Sequence, residues 1–305
     1  VKIEVQELSG QIGRQLHLKG LQLSWPRGDA KIENFQIRWQ PFHLLTGQVV
    51  VEELVLLSVE IRDHRPDMKT TPHLEWPRVP DLFLWIHAKV KSFRVERFFY
   101  QRLHQDPVHI EKLTTRLHWS YGLFSLEEVD LALTSGIVRG AIELGLARPG
   151  LHLHLNLSPY RAIHGIDSIQ VSSRLLPVKG PEHITGNVII EGRSGPVKQF
   201  LFETEIGLDR NTLHLRNFLF SRPGRKGTLA GSGQVLFTGD APIFHLKTKC
   251  SDIDLSRETG VQTFFSGMLE IEGRPNDYRG VVRIENMKGK WYSGFLSGTF
   301  RGGLE

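Results

Sequence analysis

Apolar and polar residues alternate with period two along nearly the whole chain. That period fits an extended strand, whose successive side chains point to opposite faces. Leu21, Leu23 and Trp25 alternate with Gln22 and Ser24, and Phe35, Ile37 and Trp39 alternate with Gln36 and Arg38. A longer row, Leu82, Leu84, Ile86, Ala88 and Val90, is interleaved at its far end with His87, Lys89 and Lys91. The same grammar recurs in Leu117 and Trp119, in Leu131 and Leu133, and in Leu151, Leu153, Leu155 and Leu157 against His152, His154 and Asn156. It continues through Val188 and Ile190, Phe202 and Ile206, and Val235 and Phe237. Helical spacing is confined to residues 41–45, 160–163 and 258–265. The connections are too short for crossover helices, so the pattern predicts an all-β, antiparallel chain with few short helices.

A weak internal repeat overlies the strands. Gly140, Gly186, Gly231, Gly267 and Gly298 each open a small-x-apolar-x-apolar segment. Glycine at a strand start lets the backbone bend or bulge, so the sheet is expected to curve at regular places and to form an elongated stack. The clear break in composition is residues 65–81, with Pro66, Pro72, Pro77 and Pro80. Proline cannot donate to a ladder, so this segment reads as a loop or a strap over the sheet edge. The expected organisation is residues 1–64 as an N-terminal β segment, 65–81 as the strap and 82–305 as a repetitive β-groove. A lesser loop covers 176–182, with Pro177 and Pro181. The chain opens at Val1 and closes within a strand-like pattern at 295–302, from which a piece of a longer protein is expected.

Composition narrows the functional classes. With 305 residues, 40% hydrophobic and 23% charged, the chain has enough apolar surface to offset its ordering entropy. Its net charge of +5 is spread over both halves, forming no polybasic arm to serve as a nucleic-acid footprint. A single cysteine, Cys250, excludes an internal disulfide and a cysteine-rich zinc site. No apolar run is long enough for a membrane-spanning helix.

Strands with one apolar face must bury that face in one of three ways: a two-sheet sandwich, a membrane barrel, or a half-pipe whose apolar face lines a groove. The barrel fits poorly. Its interfacial girdles call for Tyr and Trp, but the chain has 5 Tyr and 6 Trp beside 17 Phe. The pairs Lys89 and Lys91, and Glu203 and Glu205, read as a solvent face. Sandwich and groove stay open on pattern alone.

The N-terminal region resembles a known family. The runs are Leu8-Ser9-Gly10, Leu16-His17-Leu18-Lys19-Gly20-Leu21, Ile37-Arg38-Trp39-Gln40-Pro41-Phe42-His43-Leu44-Leu45-Thr46-Gly47 and Val49-Val50-Val51-Glu52-Glu53-Leu54-Val55-Leu56. They follow a strand ending near Trp, a short turn with Pro and paired Leu, a Gly and a further strand, as in the TamB and AsmA-like family of bacterial envelope proteins. The resemblance covers residues 1–61; beyond them only the strand grammar agrees. It implies a half-pipe, or β-taco, reaching across the periplasm of a Gram-negative envelope from an inner-membrane helix upstream of residue 1. The implied activity is that of a bridge-like lipid-transfer protein moving phospholipid toward the outer membrane. The alternative it implies is a translocation and assembly scaffold for outer-membrane barrels or autotransporters, meeting a barrel partner through a C-terminal part.

On the groove reading the lipid-facing residues are Leu23, Trp25, Ile37, Trp39, Leu84, Ile86, Leu117, Trp119, Leu131, Leu133, Leu153, Leu155, Val188, Ile190, Phe202, Ile206, Val235 and Phe237. On the sandwich reading the same residues are core sealed between two sheets. No catalysis, cofactor or metal is expected, and no nucleic-acid partner. His152 and His154 share a strand face and could meet His118, but they read more simply as solvent-face residues. Asp252 and Asp254 lack the rest of a calcium loop, and Gly231-Ser232-Gly233 lacks a third glycine and a following helix. Cys250 is in phase with Phe244 and Leu246, as a buried, inert thiol would be. Asn156-Leu157-Ser158 has the form of a glycosylation site but is followed by Pro159 and has no meaning in a bacterial envelope.

Overall fold

The computed structural model describes residues 2–64, 76, 85–103, 106–163, 165–178, 184–237, 241–254, 264–286 and 294–303. The chain is all-β and divides into two units: Val1–Lys69 with Pro77–Ile163, and Thr70–Trp76 with His164–Glu305.

The first unit contains β1 (Lys2–Glu4), β2 (Glu7–Gln11), β3 (Gln15–Trp25), β4 (Gly28–Gln40), β5 (Gln48–Asp63), β6 (His87–Arg102), β7 (Val108–Ser120), β8 (Leu123–Leu133), β9 (Gly136–Gly145) and β10 (Gly150–Pro159). β1 and β2 both pair with β3, and each later strand pairs with the one before it. One short 3-10 helix, Pro41–Thr46, joins β4 to β5 and ends on Gly47 in the left-handed region. The second unit is an antiparallel meander of β11 (Ser168–Pro177), β12 (Ile184–Ser194), β13 (Val197–Leu208), β14 (Thr212–Ser221), β15 (Thr228–Leu236), β16 (Ile243–Asp254), β17 (Phe264–Arg274), β18 (Asp277–Asn286) and β19 (Gly294–Gly302).

One pairing departs from the antiparallel expectation: β5 and β6 run parallel, with Gln48 beside His87 and Asp63 beside Arg102. The chain must therefore return along all 16 residues of β5, roughly 50 Å at about 3.3 Å per residue. The connection from His64 to Ile86, fully extended, could span roughly 75 Å. A crossover needs length rather than a helix, and the proline-rich segment supplies it. Most of the expected strap, residues 65–81, lies outside the described residues, Trp76 excepted. Two other expectations are corrected. Residues 160–163 form bends and an isolated bridge, not a helix, and Phe264 and Phe265 begin β17. Residues 258–263 lie outside the described residues.

The ladders are creased. Glu33, Ser58, Arg97 and Glu111 lie on adjacent strands and are all skipped by the cross-strand registers. Gly20 on β3, Ser58 and Arg97 have positive φ. At this crease the apolar positions change parity, from Leu16 and Leu18 to Leu21 and Leu23 on β3, and from Leu54 and Leu56 to Val59 and Ile61 on β5. A second crease passes Glu52, Lys91 and Glu128. Ion pairs stitch both: Arg97 to Glu33 at 3.4 Å, Lys91 to Glu52 at 2.7 Å and Arg116 to Glu128 at 2.8 Å. Bulges of this kind bend the strand and increase its twist while letting one face stay apolar throughout.

Candidate functional site: an uncovered apolar face

Residues directly opposite across a ladder project from the same face, so the registers trace the apolar row from strand to strand. In the first unit Leu23 pairs with Ala30, Ile37 with Leu54, Trp39 with Val51, Leu117 with Val90 and Leu126, Trp119 with Ala88 and Phe124, and Leu131 with Leu113 and Val138. Leu133 pairs with Gly136, Leu153 with Ile142 and Leu155 with Gly140. Trp25 lies opposite Gly28, and Ile86 precedes Ala88 by two residues. In the second unit Ile190 pairs with Val171 and Phe202, Val188 with Ser173 and Thr204, Ile206 with Leu215, and Val235 with Leu213 and Phe244. Phe237 follows β15, its N–H donating to the Asn211 carbonyl at 2.7 Å. Leu84 lies outside the described residues. Every other member of the predicted row thus shares the apolar face of its own unit.

All of those described members are half-buried; none is buried and none is exposed. Among the described residues no large side chain is fully buried, and the buried apolar residues are few: Ala30, Val50, Val51, Val59, Val95, Val129, Leu175, Ile184 and Phe218. A second layer interdigitating with this face would bury the row, since the inner faces of a sandwich pack to interior density. Partial burial is what neighbours on a curved single sheet give one another.

The repeat glycines mark that curvature. A Cβ built on Gly140 would come within 1.9 Å of the His154 carbonyl oxygen, on Gly186 within 1.8 Å of Arg174 O, and on Gly267 within 2.2 Å of Arg283 O. Each glycine belongs to the apolar face and lies under the backbone of a neighbouring strand, as on the inner side of a coiled sheet. Gly231, also of the repeat, would meet both Lys247 O at 2.1 Å and the Phe218 ring at 2.7 Å, and two other glycines of this face make room for a ring: a Cβ would reach within 2.1 Å of the Phe200 side chain at Gly192 and 2.2 Å of Phe300 at Gly280. Phe200 stacks on Phe220 and Phe202 on Phe218, with centroids 5.9 and 6.0 Å apart. Gly298, the last of the repeat, has nothing near its Cβ position.

Two threonines of the apolar face turn their hydroxyls back to the backbone, whereas the Ser173 hydroxyl, opposite Val188, is buried without a hydrogen-bond partner among the described residues. The Thr115 hydroxyl donates to Glu127 O at 2.8 Å and that of Thr248 to Leu269 O at 3.3 Å, leaving their methyl groups to the face. Asp63, at the end of β5, is a buried carboxylate in phase with the apolar face and accepts from the Tyr100 hydroxyl at 3.4 Å. Ion pairs line the opposite face. There Glu191 takes Lys198 and Arg193, both at 2.5 Å, and Lys247 reaches Glu270 at 2.9 Å. The hydrogen bond from Lys198, then those from Arg193, hold the Glu191 carboxyl below the usual glutamate range against the opposing effect of its burial. Two open hollows of about 490 and 540 Å³ in the second unit are lined mostly by residues of this polar face, among them Leu219, Lys249, Met268 and Arg283.

The residues weighed for metal chemistry are not brought together. His152 and His154 face outward on β10, His152 Nδ1 lying 3.6 Å from Glu143, while His118 is on β7, three strands away. Among the described residues no cluster of three potential ligands occurs. Cys250 lies on the apolar face opposite Leu229 and Gly267 and is half-buried. The creases were missed by simple alternation. Their signal is a switch of apolar parity within one strand, as between Leu56 and Val59.

No family model, curated protein or solved structure matches the chain. The resemblance of residues 1–61 to the TamB and AsmA-like family therefore rests on those residues alone.

Proposed function

We propose that the chain conducts phospholipid, its apolar face holding acyl chains while headgroups stay in solvent. The observation that carries this reading is the row itself: aligned across successive strands, half-buried, and covered by no second layer among the described residues of either unit. Each methylene withdrawn from water gains about 0.8 kcal/mol, so a two-chain lipid crossing water faces a barrier of roughly tens of kcal/mol. A hydrocarbon-lined surface that accompanies the tails lowers that barrier without any chemical step. Thr115 and Thr248 satisfy their hydroxyls on the backbone and leave their methyl groups to the tails. The periplasmic setting, the upstream inner-membrane anchor and delivery toward the outer membrane belong to this reading through the family resemblance.

Photo-crosslinking tests it. A benzophenone amino acid placed at Leu153 or Ile190 should capture phospholipid in cells, and the same probe at His152 or Glu191 on the opposite face should not. Equal capture from both faces would refute the proposal. Lipid-free protein by native mass spectrometry, combined with binding of unfolded barrel strands, would favour an assembly scaffold instead.

A further inference from the structure

One end of the strands in the first unit differs in chemistry from the other. It is formed by residues 11–15, 40–48, 85–89, 119–123 and 145–150, which contain no Asp or Glu. Large apolar side chains stand out from its turns: Ile12 is 77% exposed, Phe42 82%, Leu45 87%, Trp85 79% and Tyr121 67%. These turns form one rim. The Trp39 indole N–H donates to Ile12 O at 2.8 Å, Gln48 lies beside His87, the His87 ring packs edge-on to Tyr121 with centroids 4.4 Å apart, and Leu146 N–H donates to Gly122 O at 2.7 Å.

The cations of this rim, Arg14, Lys89 and Arg148, have no carboxylate partner among the described residues. Arg38, Lys91, Arg94 and Arg116, further along the same strands, each hold one. The opposite strand ends carry Asp29, Asp63 and Asp106. Tyr121 and Gly122 form the two-residue turn between β7 and β8, with φ of 49° and 75°. That turn favours Asn or Gly at its first position, so the sheet holds a bulky aromatic in a strained conformation to project it outward. Exposed Trp, Tyr, Phe and Leu with unpaired cations and no acid match a bilayer interface bearing anionic headgroups.

The geometry points to this rim as a docking surface for an anionic lipid bilayer. The inference is independent of the conduit reading, because none of these exposed side chains belongs to the apolar row. The test is flotation of the purified chain with vesicles of phosphatidylglycerol and phosphatidylethanolamine, against vesicles of phosphatidylcholine, at low and high ionic strength. The chain should float with the anionic vesicles and be released by salt. Changing Phe42, Leu45 and Trp85 together to Ser should weaken binding more than about tenfold. Since each cation near an anionic surface contributes about fivefold, Arg14→Gln, Lys89→Gln and Arg148→Gln together should weaken it about a hundredfold.

The control pair Leu103→Ser and Tyr160→Ser, exposed at the opposite strand ends, should bind as wild type. So should Leu153→Asp, which strikes the apolar face, so failure of the rim and failure of the conduit are told apart. Absence of vesicle binding, equal binding to neutral vesicles, or wild-type binding by both rim triples would overturn the assignment. Rim variants that abolish self-association without altering vesicle binding would make the surface a protein interface and overturn it as well.

Discussion

Replacing Leu153 with aspartate separates an open apolar face from a closed core. Leu153 lies opposite Ile142 and has Leu151 and Leu155 as neighbours on the same face. Full burial of a leucine is worth roughly 1.5–3 kcal/mol, so a half-buried one should lose about 1–1.5 kcal/mol of folding stability. In the lipid-free protein the carboxylate can turn to water over the uncovered face. Beneath an opposing layer it would be stranded in an interior, at a cost above about 4 kcal/mol. Lipid occupancy should respond far more strongly than stability. Aspartate within hydrocarbon costs about 2.5–3.5 kcal/mol, which corresponds to about a hundredfold weaker lipid binding.

Two measurements on one variant decide the matter: urea unfolding for stability, and native mass spectrometry for co-purified phospholipid. A small stability loss with lipid gone is the expected pair of results, and Ile190→Asp should repeat it in the second unit. Acidification through the carboxylate range should restore part of the lipid, because the neutral acid is cheaper to dehydrate. Wild-type lipid content in both variants would refute the conduit, and a loss above about 4 kcal/mol would mean that the face is a core after all.

Gly186→Ala should destabilise the second unit by roughly 2 kcal/mol, because the added Cβ meets a carbonyl oxygen that only a backbone shift can move. Gly298→Ala, at a position with open space, should be neutral in the same urea titration. Phe218→Ala removes a buried ring and should cost about 3–4 kcal/mol, where Phe295→Ala, exposed on β19, should cost almost nothing. The Glu191 carboxyl titrates below its ordinary value in the folded state, so its contribution to stability is complete above the usual glutamate range and disappears as pH falls through the depressed value. Glu191→Gln should flatten the acid limb of an unfolding-midpoint curve over that window and leave neutral pH differences unchanged by pH. Tyr121→Asn relieves the positive-φ strain and should raise the unfolding midpoint by about 1 kcal/mol equivalent while reducing vesicle flotation. A variant that lost stability would contradict the idea that the turn is strained for the sake of its side chain.

Much of the face was readable residue by residue. Leu151, Leu153, Leu155 and Leu157 alternate with polar neighbours along an unbroken strand, and the register with β9 leaves them in phase. Strands crossed by a crease were harder. On β6 the apolar positions pass from Val90 to Phe93 and Val95 and then to Phe98 and Tyr100, so a fixed period assigns part of the strand to the wrong side. Whether such a parity switch is a bulge or the end of a strand depends on the neighbouring strand, which local sequence does not encode. The exposed rim was illegible for a related reason. Ile12, Phe42, Trp85 and Tyr121 are far apart in the chain and become one surface only when the turns line up.

Period-two alternation by itself determined that this chain is made of strands with one apolar face, because no other backbone returns every second side chain to the same side. On strands without a crease it also determined which residues would form that face. Only the tertiary structure decided that no other described residues cover the face, that β5 and β6 run parallel, and that cations and aromatics gather at one end of the strands in the first unit. Those outcomes depend on how strands pair and curve, and pairing is a contest between distant segments for the same backbone donors and acceptors.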